Sequence, residues 1–165
     1  MNIRLVAIVP KGKLVDLPML DRELKGAVNH GLNIINDDFQ KTTATWRHNV
    51  AFKIDRAHST GAALVGAVTT RDTIYGYVDQ GTRPHIIRPR RARVLRFRGS
   101  HRAKTRPGII SSSAGGSSGP FVTARVVHHP GTAARNFAKT IEKRRERNMR
   151  TLLRAAFLKS LHSRA

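Results

Sequence analysis

From Leu20 onward, Leu24, Val28, Leu32, Ile35 and Phe39 recur at steps of three and four residues. That spacing lines up side chains along one face of an α-helix. A helix of this length cannot leave such a face in water, so the chain must supply a surface to cover it. The spacing predicts a helix that reaches about Ala44, with Pro18 in its first turn and Asp21 and Glu23 near its positive end. An apolar stripe of this kind is core rather than a ligand box.

The covering surface is predicted to be an antiparallel sheet. Asn2 to Val9 alternates apolar and other residues, as a half-buried strand does. Trp46 to Asp55 reads as a strand with Val50, Phe52 and Ile54 on one face, and Ala62 to Thr70 as another. His58, Ser59, Thr60 and Gly61 form the turn between them. Thr73 to Gln80 is a short helical turn ended by Gly81 at positive φ. His85 to Arg98 is extended and broken by Pro89, and Phe121 to His128 is a strand stopped by Pro130 and Gly131.

A last helix is expected from Ala133 to Leu161, apolar at its ends through Phe137, Ile141, Met149, Leu152, Leu153, Ala156 and Phe157. Its middle, residues 142–148, is almost wholly charged. That stretch is expected to face solvent, another subunit or phosphate, with Glu142 and Glu146 pairing to Arg one turn away. The order of elements gives an α+β fold, residues 1–165 forming one domain: an antiparallel sheet packed against the long N-terminal helix, a C-terminal helix, and a basic arm.

Aromatic residues make up 5% of the chain against 39% hydrophobic residues, so the core is expected to be aliphatic. There is no cysteine, which excludes disulfides and thiolate metal sites. The apolar run Ile3–Val9 contains Arg4 and is too short for a signal or spanning helix. A soluble protein with no membrane association is expected.

Charge is placed unevenly. Residues 1–82 hold ten Lys/Arg against eight Asp/Glu, net +2, whereas residues 83–165 hold twenty-one against two, net +19. Arg83, Arg88, Arg90, Arg91, Arg93, Arg96, Arg98, Arg102, Lys104 and Arg106 follow one another with no acid between. Repulsion of this size calls for a negative partner: nucleic acid, an acidic protein ring or an anionic membrane. Residues 99–119 pass from Arg-rich to Ser/Gly-rich. They are expected to form a flexible, structureless arm that orders on contact.

Chemistry has little to work with. Asp79 and His85 are close in sequence, but no nucleophile or second carboxylate accompanies them, so no catalytic residues are assigned. Asp79 is expected instead to pair with a neighbouring Arg, and His85 to stiffen a turn. His128 and His129 would point to opposite faces of a strand, with His85 or His101 as the only third ligands to hand. No metal site and no cofactor are assigned. Nucleic-acid binding is a real rival, but Phe97 is the only aromatic in the basic run. Contact with DNA would then be through the backbone and indifferent to sequence.

The ordered series Tyr77-Val78-Asp79-Gln80-Gly81-Thr82-Arg83-Pro84-His85-Ile86-Ile87, Leu95-Arg96-Phe97, Val127-His128-His129-Pro130-Gly131-Thr132 and Phe137 resembles the neck, or head–tail joining, proteins of long-tailed double-stranded DNA bacteriophages. It spans about Tyr75 to Phe137. Asp79 stands where the family more often has Glu, and the Arg- and Ser/Gly-rich insertion after Leu95-Arg96-Phe97 is a second departure. The resemblance implies a virion structural protein without enzymatic activity, assembled in the host cytoplasm into a ring of its own copies around the DNA channel. Its partners would be the head-side connector or stopper proteins and the tail terminator or tail tube, with possible non-specific contact to genomic DNA. The Pro84–Phe97 segment and the terminal helix are the expected contact surfaces. The tail terminator of the same apparatus and a sequence-independent nucleic-acid-binding protein are the alternatives.

Overall fold

The computed structural model describes residues 2–8 and 16–162. In chain order they form β1 (Asn2–Ile8), α1 (Leu17–Thr43), β2 (Lys53–Thr60), β3 (Ala63–Thr69), α2 (Thr73–Gln80), β4 (His85–Ile87), β5 (Leu95–Arg102), β6 (Gly116–Ala124), β7 (Val127–His129) and α3 (Phe137–His162). All paired strands are antiparallel, and the fold is α+β as expected. No helix among these residues is long and apolar enough to cross a membrane. Val9, the expected end of the first strand, lies outside the described residues.

The chain divides into two compact units. One comprises Met1–Gln40, Ala51–Arg71 and Ala138–Ala165, and the other Lys41–Val50 and Asp72–Phe137. The first holds a three-stranded sheet in the order β1-β3-β2. All six stripe residues of α1 are buried. Helix and sheet meet where Leu32 lies over Gly66: a Cβ on that glycine would sit 2.7 Å from the leucine's Cδ1. Asn29 adds a polar tie, its Oδ1 accepting the Ala57 N–H at 2.9 Å where the β2–β3 register shifts between Asp55 and His58. The helix starts on Asp16, whose Oδ1 accepts the Met19 N–H at 3.1 Å. Its first turn holds no acid. Asp21 instead pairs with Lys25 at 2.7 Å, and Glu23 with Lys159 at 3.0 Å.

Strand β2 corrects the sequence reading. It begins at Lys53 rather than Trp46 and runs through His58, Ser59 and Thr60, which pair with Val65, Leu64 and Ala63. Pairing of backbone to backbone carries these polar residues regardless of their side chains. The turn shrinks to Gly61 and Ala62, with Gly61 at φ 60°. Ahead of the strand, the Ala51 carbonyl accepts the Thr70 hydroxyl at 2.8 Å.

The charged middle of α3 is also not wholly outward. Ala138, Ile141, Met149, Ala156 and Ser160 are buried at helical spacing, and the position that continues this face between Ile141 and Met149 is Arg145. Its guanidinium donates to both oxygens of Asp38, Nε to Oδ2 at 2.6 Å and Nη2 to Oδ1 at 2.8 Å. Asp38 is 2% exposed, and its hydrogen-bonded carboxylate holds the Arg145 pKa above its ordinary value. The remaining charges do turn outward, and Glu146 pairs with Arg150 one turn on at 2.6 Å.

The second unit contains α2, the β4–β7 pair and a two-stranded ribbon of β5 and β6. Phe121–His128, expected as one strand, is split: β6 ends at Ala124 and β7 starts at Val127, each with its own partner. The expectation that 99–119 lacks structure is corrected at its two ends, which lie in β5 and β6, while residues 103–115 belong to no helix or strand. Ser100, His101 and Arg102 pair with Ser118, Ser117 and Gly116 within the ribbon. Beyond the ribbon Thr105 and Ile110 are buried. A ladder needs only backbone groups, and Gly116 and Gly119, at φ 129° and 78°, supply conformations that other residues rarely take.

Candidate functional site

The residues of the sequence motif, fifty positions apart in the chain, close on one another as a latch within the second unit. Its first side starts with α2, which Asp72 caps by accepting the Tyr75 N–H at 2.7 Å. Gly81 ends that helix at φ 78°, as its place in the sequence predicts. Thr82 then exchanges backbone hydrogen bonds with Thr132, at 2.9 and 3.1 Å, and the Thr82 hydroxyl accepts the Thr132 N–H as well. β4 and β7 continue the pairing, His85 opposite His129 and Ile87 opposite Val127.

Two Gly-Thr pairs thus face each other. A Cβ on Gly131 would stand 2.2 Å from the Thr82 carbonyl oxygen, and one on Gly81 2.6 Å from that of Thr132. Both glycines have positive φ, 88° and 78°. The crossing is therefore closed to any side chain on two grounds, space and backbone conformation.

Asp79 bolts the latch. It is 3% exposed, and its Oδ1 accepts the N–H of Phe137, the first residue of α3, at 2.6 Å. Its backbone carbonyl accepts the N–H groups of Arg135 and Asn136 at 3.1 and 3.0 Å. Residues 133–136, expected in the last helix, are held back from it in this way, with Asn136 at φ 52°. The expected pairing of Asp79 with a neighbouring Arg gives way to this capping role. His85 is exposed and stacks on the His129 ring, centroids 4.9 Å apart, with its Nδ1 2.9 Å from the Arg83 carbonyl. Asp79 and His85 are thus engaged in separate contacts. Among the described residues no group of three or more His, Asp or Glu is placed to hold a metal ion.

An aromatic stack fills the latch. Tyr75 and Phe137 are fully buried with ring centroids 5.6 Å apart, and Trp46 lies 6.0 Å beyond Tyr75. Burial pushes the Tyr75 phenol well above its ordinary range; the nearby Thr42 side chain opposes this and the charge of Asp79 adds to it. Folding thus favours the neutral phenol. Its contribution to stability is complete below about pH 10 and is lost as the pH climbs toward the raised value. Melting temperature should fall across that alkaline range, and Tyr75→Phe should flatten the fall.

Side-chain exposure varies along the motif. Tyr77 is 59% exposed, and Pro84 and Pro130 are exposed, while Val78 and Thr132 are half-buried. The ten expected basic contacts are spread over several elements. Arg83, Arg88, Arg90, Arg91 and Arg93 lie exposed around β4 and the segment after it, Arg96, Arg98 and Arg102 on β5, and Lys104 and Arg106 beyond the ribbon. The structure brings together Arg96 and Arg98, whose guanidinium carbons lie 4.3 and 3.9 Å from the Phe121 ring centroid. Phe97 and Val122, directly paired, make the opposite, apolar face of the ribbon and are exposed.

Sequence reasoning missed Trp46, Arg47, Thr105 and Arg135, which line a cavity next to the latch. The one legible signal for the latch was the repeated Gly-Thr pair, at 81–82 and 131–132. No family model, no curated protein and no solved structure matches this chain.

Proposed function

We propose that this protein is a structural component of a bacteriophage neck, joining the DNA-filled head to the tail as one ring in a stack around the DNA channel. The observation that carries the proposal is the convergence of the motif. Asp79, Gly81 and Thr82 on one side and Gly131, Thr132 and Phe137 on the other meet as a single tie. The pieces that resemble neck proteins are therefore one physical unit. Their polar groups are spent on each other, which suits a mechanical part better than a reactive centre.

The unit's basic, exposed segments are its contact surfaces. A closed ring needs two different complementary patches on each subunit. The Arg83–Arg98 stretch would meet an acidic neighbouring ring. A particle reconstruction should show on the order of six or twelve copies in the neck. A monomer there, or absence from the neck, overturns the reading.

The exposed ribbon also favours a second reading, sequence-independent binding of duplex DNA, since a two-stranded β-ribbon fits the major groove. Arg90, Arg91, Arg93 and Arg96 changed together to Ser separate the two. Under the neck reading, head–tail joining is lost while affinity for unrelated DNA barely moves. Under the second, each lost phosphate contact flattens the slope of log affinity against log salt by about 0.9.

A further inference from the structure

A cavity of about 420 Å³ opens beside the latch. Its lining brings together Trp46 and two side chains of α2, Ile74 and Val78, with Arg47, Lys104 and Arg135. No Asp or Glu lines it. None of the three cations takes part in an ion pair among the described residues.

Two of the cations are nevertheless held in place. The Lys104 ammonium donates to the Thr45 carbonyl. Arg135 donates from Nη1 to the Ala133 carbonyl at 3.1 Å and from Nε toward the Thr105 hydroxyl at 3.4 Å. The segments that carry them are tied as well. Thr45 donates its N–H to Ser112 Oγ at 3.1 Å and its hydroxyl to the Ser113 carbonyl at 3.0 Å, and the Ser113 N–H donates to the Lys104 carbonyl at 2.8 Å. Positioned cations without an ion-pair partner, sharing a cavity with apolar side chains, form a receptor for an anion joined to an apolar group.

We propose that this cavity binds an acidic peptide segment, a carboxylate flanked by an aliphatic side chain, presented by a neighbouring protein. The carboxylate meets Arg47, Lys104 and Arg135, and the aliphatic group covers Ile74 and Val78. A duplex carries its phosphates on convex ridges, and its thymine methyl groups lie on the groove floor, away from a phosphate seated in the cavity. A single-stranded base would need an open face of Trp46, whose ring already packs against Tyr75 and His48 at 6.0 and 5.4 Å. A second copy of this chain, at +21, is a poor source of acid. The partner as a neighbouring ring protein rests on the neck reading; the cavity's chemistry does not.

Trp46 is the only tryptophan, so its fluorescence reports on this cavity alone. The isolated protein is titrated with three probes: a capped Asp-Leu-Asp-Leu-Asp peptide, a capped all-Asp peptide of equal length, and a short oligothymidylate. The Leu-containing peptide should give a saturable change in emission, and the all-Asp peptide should bind about tenfold more weakly for want of apolar contact. Arg47→Gln and Lys104→Gln should each weaken the first by about tenfold, with circular dichroism and melting temperature checked against the parent protein. Arg47 is exposed, so its variant keeps the test valid should Lys104→Gln fail to fold. No saturable response, equal binding of the two peptides, insensitivity to Arg47→Gln, or tighter binding of oligothymidylate each overturns the proposal. Absence of the protein from the neck of particles overturns the ring reading and leaves the titration untouched.

Discussion

Gly131→Ala should cost about 3 kcal/mol or more of folding stability, enough to leave a domain of ordinary stability close to unfolding. The added Cβ would lie 2.2 Å from the Thr82 carbonyl oxygen and 2.9 Å from the Arg83 carbonyl carbon. Both are backbone atoms inside the latch and cannot swing aside as a side chain can. A φ of 88° adds strain for any residue with a Cβ. Gly81→Val should act in the same direction, by about 1–2 kcal/mol or more, through its own contact with Thr132. Urea unfolding of the two variants measures both effects. Parental stability in Gly131→Ala would mean that the two strands do not cross as described.

Arg145→Ala should cost about 3–5 kcal/mol, because it leaves the Asp38 carboxylate, 2% exposed, without its bidentate partner. Replacing both members, Asp38→Leu with Arg145→Met, should recover most of the loss, since a packed apolar pair can stand in for a buried ion pair. A double-mutant cycle by urea unfolding gives the coupling between them. Coupling near zero would place Arg145 in solvent and restore a wholly outward middle for α3.

Much of the fold was legible because its signals are periodic. The stripe from Leu20 to Phe39 defines α1, and the α2 limits follow from Gly81 at its end. What escaped was decided by partners distant in sequence. Nothing local tells that Arg145 occupies a core position, because its inward turn depends on Asp38, 107 residues away. His58, Ser59 and Thr60 look like a turn until β3 offers them a ladder. The Ser/Gly run looks unstructured until Ser100–Arg102 pairs with it. Asp79 stands out in the sequence beside His85 and within the Tyr77–Ile87 motif, but its role is fixed by the Phe137 N–H, which no local pattern announces. The cavity at Trp46 was invisible for the same reason: its cations come from positions 47, 104 and 135.

The latch is also one of two fastenings on the ribbon. The chain leaves β4 at Ile87, passes through β5 and β6, and returns at Val127, the residue paired with Ile87. The far end is tied as well, through Lys104 and Ser113 to Thr45 and through Thr105 to Arg135. The excursion between Ile87 and Val127 is thus a handle riveted at both ends, and neither end swings free while the other holds.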